Sequence, residues 1–473
     1  MVPGVGGSDM TTRLILGFVA AAVLAAGAPA QAASDPPPGS PGWYEREAHD
    51  FADSTGRTQD QLANPEYWPL RESQADTDNP DPYRAPERWA PRRGRVLAVR
   101  YANRYGAMIS AHLWAPRAGT GPFPAVIFIN GAGTREEDYW AFTQDLAEHG
   151  YVVMTFDPQG VGKSDTAPNP RSKYCDPNGA WRRPQEMGVR EHGSCAGEND
   201  NGVNSTVGQV PAVTDIVVGG HTGQEGTPDV QGLYDELSPN FIFGAFDAYK
   251  WLASPADPWR RLVDFSRVAA MGHSLGAYAA AMVANGDPRH RFRAGIALDS
   301  YAHLMHGVGP RAPTLYEQSE QELFSGPRLA PPPPTALHGT RRDYATFVDR
   351  GIDTMYVVLR ASNHSEFAYS GPDEPAPASR AGQRVATYFA LAWLDRALAG
   401  RPGADARLRA PRFDRSVDVS SIGLGAWDPA TQTNQPYKIA GEHVAAALSP
   451  YFVSRYAFGG HACRDMRRGC ARP

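Results

Sequence analysis

Gly272-His273-Ser274-Leu275-Gly276 lies between a short apolar run, Arg267-Val268-Ala269-Ala270-Met271, and a run of small residues, Ala277-Tyr278-Ala279-Ala280-Ala281-Met282-Val283-Ala284. The first run predicts a buried strand and the second a helix, which makes the pentapeptide a sharp turn with a serine at its apex. Such a turn strains the serine backbone, and the flanking glycines let strand and helix approach closely. The helix that follows aims its N-terminus at the serine, where it favours developing negative charge. Glycine is abundant, 48 of 473 residues, so the five-residue pattern carries weight only through its strand-and-helix context.

Working outward, strands and helices alternate. Pro124-Ala125-Val126-Ile127-Phe128-Ile129 is a continuous apolar run that predicts a buried strand, ending in Asn130-Gly131-Ala132-Gly133. A helix over 139–148 leads to a second buried strand over 151–156, and a helix over 243–252 feeds the strand before Ser274. Beyond the serine helix, strands are expected over 293–298 (ending at Asp299), 314–318 and 355–360, the last followed by Ala361-Ser362-Asn363-His364. An amphipathic helix over 383–398 closes the series. This rhythm predicts an α/β fold with a doubly wound, mostly parallel sheet. Upstream, alternating runs over 95–101 and 107–114, joined by Asn103-Arg104-Tyr105-Gly106, read as a β-hairpin.

The chain divides into a signal peptide over 1–32, an irregular N-terminal extension over 33–92, the α/β domain over 93–400 and a C-terminal tail over 401–473. A Gly-, Asn- and Pro-rich insertion over 165–240 interrupts the domain, and the tail reads as a small β-rich appendage. Arg13, the apolar stretch from Leu14 to Gly27 and Ala30-Gln31-Ala32 form an export signal, too short for a comfortable membrane span, with Met10 an alternative start. Secretion follows, and an uncleaved anchor is the competing reading. Four cysteines fit an oxidising compartment, and local pairing of Cys175 with Cys195 and of Cys463 with Cys470 is the simplest connectivity. A content of 42% hydrophobic residues describes a globular core, and a formal net charge of -5 gives no sign of a nucleic-acid partner.

A serine hydroxyl is a weak nucleophile and needs a base to take its proton. Around a serine elbow the chain order is serine, acid, histidine, with the base after the last strand, and His364 stands there; His303 and His306 do not. Asp299, at the end of the strand after the elbow, is the favoured acid, with Glu320 and Glu322 after the next strand as alternatives. The backbone N–H of Leu275 and that of Ala132, in the loop after the early strand, are the expected oxyanion donors. Gly160-Val161-Gly162-Lys163-Ser164 has Asp157 where a phosphate-binding loop needs its first glycine, and the histidines lack metal-ligand spacing. No cofactor and no metal are expected.

These segments resemble the α/β-hydrolase superfamily, and within it platelet-activating-factor acetylhydrolases and neighbouring dienelactone-hydrolase-like and polyester-hydrolase-like proteins. The resemblance covers roughly 93–400 and rests on Pro124 to Gly133, the Ser274 pentapeptide, Gly295 to Asp299, Pro313 to Glu320 and Met355 to Phe367. In the acetylhydrolases it implies Asp299 as the acid; in the polyester hydrolases it points to Glu322. It also places the oxyanion donor on Ala132, although many relatives have His-Gly where this chain has Asn130-Gly131. The resemblance implies a serine hydrolase of carboxylic esters acting through an acyl-enzyme on a small-molecule, lipid or polyester substrate. A peptidase or amidase with the same residues, or a non-catalytic binding protein on this scaffold, are the alternatives.

Overall fold

The computed structural model describes residues 36–38, 40–43, 45–46, 86–104, 106–132, 134–165, 230–300, 304, 308–321, 339–368, 378–410, 412–419, 427–428, 433–434 and 442–470. The export signal, the Cys175–Cys195 pair, Gly133, His303, His306, Glu322 and nearly all of the N-terminal extension and of the 165–240 insertion fall outside these residues.

A ten-stranded sheet organises the rest. The Asn103 turn joins β1 (Gly94–Ala102) to β2 (Met108–Pro116) as an antiparallel hairpin, closed by the Asn103 N–H on the Ala107 carbonyl at 2.9 Å. Then follow β3 (Phe123–Ile129), β4 (Val152–Phe156), β5 (Val263–His273), β6 (Phe292–Leu298), β7 (Thr314–Gln321) and β8 (Thr354–Asn363). The spatial order β1-β2-β4-β3-β5-β6-β7-β8 is parallel from β4 onward. The apolar runs of β3 and β4 are buried on both faces, as a parallel sheet covered by helices requires.

The helices are α1 (Pro86–Arg93), α2 (Trp140–Glu148), α3 (Val230–Leu252), α4 (Leu275–Gly286), α5 (Gly339–Asp349), α6 (Arg380–Leu394) and α7 (Ala404–Arg409). Leu146 of α2 and Val385, Phe389 and Trp393 of α6 pack with Val126, Met271 and Leu298 on one face of the sheet. Ala245 and Leu252 of α3 and Tyr278 and Val283 of α4 pack with Ile127, Met154 and Ala270 on the other. The chain reverses its direction of winding at β3, so the crevice beyond the strand ends of β3 and β5 is where a doubly wound sheet places its ligand.

Three segments differ from the sequence reading. The helix expected over 243–252 begins at Val230 and runs through Pro239, a residue that sequence reasoning treats as a helix stop. Phe241, Ala245, Ala248 and Leu252 recur at helical spacing and are all buried, and this packing carries the helix. The end of the N-terminal extension is helical, not irregular. Trp89 of α1 is buried against Trp114, and its indole N–H donates to Glu148 at 2.9 Å. The C-terminal tail does more than form an appendage. Its short pairs β9 (Arg412–Val419) with β12 (Glu442–Ala447) and β10 (Trp427–Asp428) with β11 (Thr433–Asn434) are small, but β13 (Arg455–Phe458) joins β8 antiparallel, and β14 (His461–Cys463) completes the main sheet. Cys463 and Cys470 are disulfide-bonded to each other, the local pairing expected. Among the described residues no helix is long and apolar enough to cross a membrane.

Candidate active site

Ser274 sits between β5 and α4 with φ 56° and ψ -120°, the strained conformation that an elbow imposes on its apex. The flanking glycines make that turn possible. A Cβ on Gly272 would lie 2.2 Å from the Gly276 carbonyl oxygen, and one on Gly276 would lie 2.2 Å from that of Ile129. Backbone atoms cannot give way to such contacts, so both positions admit only glycine. The Ser274 N–H donates to the Leu298 carbonyl at 2.9 Å, which ties the elbow to the end of β6. Its own carbonyl accepts from Ala277 and Tyr278, opening α4 and leaving the N–H of Leu275 among the donors that a first helical turn does not use.

Asp299 follows β6 directly, also with positive φ (52°). Its N–H donates to the Glu317 carbonyl at 2.7 Å. The carboxylate is fully engaged: Oδ1 accepts from the Ser319 N–H at 2.9 Å, and Oδ2 accepts from the Ser319 hydroxyl at 2.7 Å and from His364 Nδ1 at 2.7 Å. A carboxylate only accepts, so Nδ1 carries the proton and Nε2 is the basic nitrogen of His364. His364 lies at the end of β8, where the Asn363 side chain accepts from the Ser365 N–H and starts a 3-10 turn. Glu320 is buried on β7, and its backbone N–H donates to Ser362 Oγ at 3.1 Å. Of Asp299 and Glu320, it is Asp299 that contacts the imidazole.

The loop after β3 faces the elbow. Asn130 Nδ2 donates to the Thr134 carbonyl at 2.7 Å, and Ala132 lies half-buried between them in sequence. The Gly131 N–H donates to Tyr139 Oη at 2.9 Å; Tyr139 closes the 3-10 turn Glu136–Tyr139 that leads into α2. The same phenol oxygen lies 2.8 Å from Thr134 Oγ1 and 2.8 Å from His273 Nδ1. A Cβ on Gly131 would approach Ser274 Cβ to 3.1 Å, which places the loop directly against Ser274. The His273 ring in turn packs on that of His364, with centroids 4.4 Å apart. Burial first, and the neighbouring His364 second, hold the His273 imidazole well below its ordinary range, so it is neutral.

Asp299 and His364 are thus in direct contact, and Ser274 is held at the same strand ends through Leu298 and His273. Sequence reasoning passed over Ser319, Thr134 and Tyr139, and quoted His273 without a role. Ser319 had one usable signal, its position one residue beyond the predicted end of β7; the contact between Tyr139 and His273 is of tertiary origin. Among the described residues no group of three or more His, Cys, Asp and Glu side chains is placed to hold a metal ion.

A family model described as the alpha/beta hydrolase fold matches residues 124–346. The chain has the α/β-hydrolase fold. In that fold the match runs from β3 through the elbow and Asp299 into α5, and His364 lies just beyond it. A stretch of 72 residues is 35% identical to an uncharacterized protein of Pseudomonas aeruginosa, covering 15% of this chain. The match spans only 19% of that relative's length. Among solved α/β structures, a ferulic acid esterase from Streptomyces cinnamoneus aligns with a TM-score of 0.40 and 18% identity, over 65% of this chain and 90% of that one.

Proposed function

We propose that this protein is a serine hydrolase that cleaves carboxylic esters through an acyl-enzyme. Ser274 Oγ attacks the ester carbonyl while His364 Nε2 takes its proton. Asp299 holds the imidazole in the Nδ1–H tautomer and stabilises the imidazolium. The N–H groups of Leu275 and Ala132 receive the oxyanion, and His364 returns its proton to the departing alkoxide. Water then repeats the sequence on the acyl-enzyme, so bonds and protons balance without a cofactor. The observation that carries this reading is the 2.7 Å contact between His364 and Asp299 beside a serine at φ 56°. The resemblance to platelet-activating-factor acetylhydrolases, in which the acid follows the strand after the nucleophile, supports the same assignment. An N-terminal export signal, cleaved near Ala33, makes the protein secreted in this reading.

The test is hydrolysis of p-nitrophenyl esters from acetyl to palmitoyl by the mature protein and by Ser274→Ala. Turnover lost by about 10⁶-fold in the variant is the expected result. Equal rates from both proteins reject it, and labelling by a fluorophosphonate without ester turnover moves the reading to an amidase.

A further inference from the structure

We propose that His273 is a positioning residue: fixed as its neutral Nδ1–H tautomer, it donates to Tyr139 Oη and, through Tyr139 and Thr134, sets the 130–134 loop so that Ala132 supplies the loop's oxyanion donor. This rests on the serine-hydrolase reading for its catalytic consequence, but the tautomer stands on geometry alone.

Four short contacts meet at Tyr139 and Thr134. The Gly131 carbonyl can only accept, so the 2.9 Å contact with Thr134 Oγ1 takes the threonine's single hydroxyl hydrogen. Thr134 Oγ1 then has none left for Tyr139 Oη at 2.8 Å, so the phenol hydrogen goes to Thr134. The phenol oxygen accepts from the Gly131 N–H at 2.9 Å. With its own hydrogen spent, Tyr139 meets His273 Nδ1 at 2.8 Å only as an acceptor, and Nδ1 must be protonated. No other placement of the hydrogens satisfies all four contacts.

Two further observations agree. His273 Nε2 is buried and has no hydrogen-bond partner among the described residues. A bare lone pair there is less costly than a stranded N–H, although the His364 backbone pulls in favour of protonation. The ring also packs on His364, which becomes positive during the proposed reaction, and a neutral neighbour leaves that charge unopposed.

The consequence concerns the oxyanion. The Gly131 N–H is committed to Tyr139 and is withdrawn from the substrate, which leaves the next N–H of the loop, that of Ala132, for the developing charge. A Cβ on Gly131 would sit 3.1 Å from Tyr139 Oη and 3.2 Å from His273 Nδ1, so any side chain there would press on the network itself.

The experiment has two arms. Selective 15N labelling of histidine, recorded on the wild type and on Ser274→Ala, reads the His273 ring nitrogens directly. The expected result is a protonated Nδ1 and a bare Nε2 in both proteins; an Nε2–H tautomer overturns the proposal, whatever the enzyme does. The kinetic arm compares Tyr139→Phe, His273→Leu and His273→Asn, whose amide N–H stands where Nδ1–H stood. Loss of about 10²-fold in kcat with KM little changed is expected for the first two, with most of it recovered by the asparagine. Wild-type kcat in folded Tyr139→Phe overturns the positioning role. Equal ester turnover by wild type and Ser274→Ala would instead reject the hydrolase reading, while the ring nitrogens would still decide the tautomer.

Discussion

Asp299 and Glu317 are backbone neighbours, joined by a hydrogen bond from the N–H of one to the carbonyl of the other, and both side chains are buried. Yet they are opposite cases. Asp299, past the end of β6, is met by two hydrogen bonds from Ser319 and one from His364. Glu317, within β7, has neither carboxyl oxygen partnered among the described residues, and burial alone pushes its carboxyl well above the ordinary range. The first carboxylate is met by donors; the second is left to burial. Burial does not by itself bring donors to a carboxylate; the Ser319 N–H and hydroxyl and the His364 Nδ1–H are aimed at Asp299 and not at Glu317.

The largest effect that sharpens this comparison is expected from Asp299→Asn, which keeps the shape but removes the charge and the pure acceptor that set the His364 tautomer. A fall of about 10⁴-fold in kcat on p-nitrophenyl esters is expected. A loss below tenfold would mean that another carboxylate serves the base. Ser319→Ala deletes one of the three bonds to Asp299 and should lower kcat by about tenfold. An unchanged kcat would show that His364 and the Ser319 backbone N–H hold Asp299 in place without the hydroxyl.

Glu317→Gln gives the smallest effect and tests the other side. The folded state holds the Glu317 proton more tightly than the unfolded chain. Its stabilisation is therefore complete below the ordinary carboxyl value of 4.5 and is lost as pH rises above it. The glutamine variant should be more stable than the wild type at pH 8, and by a smaller margin at pH 5, in chemical denaturation. A variant that is less stable than the wild type at pH 8 would show that Glu317 has a favourable partner after all.

The divide between what could be read in the chain and what could not follows the range of the interactions. Gly272 and Gly276 are needed for reasons confined to one turn and the strand beside it, and the local pattern announces them. His364 and Asp299 were legible because each follows an apolar run that can only be a buried strand. Ser319 and Tyr139 were not, since their partners lie 20 and 134 residues away and a lone hydroxyl leaves no periodic trace. The first turns of α3 were missed for the same reason, because the packing that carries the helix belongs to the sheet. The strands β13 and β14 were masked by a tail whose composition is unlike that of the domain it completes.

That tail has a consequence for how the molecule comes to exist. His364 closes a strand whose outer flank is covered by Arg455–Phe458, almost a hundred residues later in the chain. Until those residues arrive, β8 is an open edge, able to recruit the matching strand of another copy. A chain cut between β8 and β13 therefore carries Ser274, Asp299 and His364 on a sheet still exposed to misassembly, and that edge is closed by residues far from the elbow.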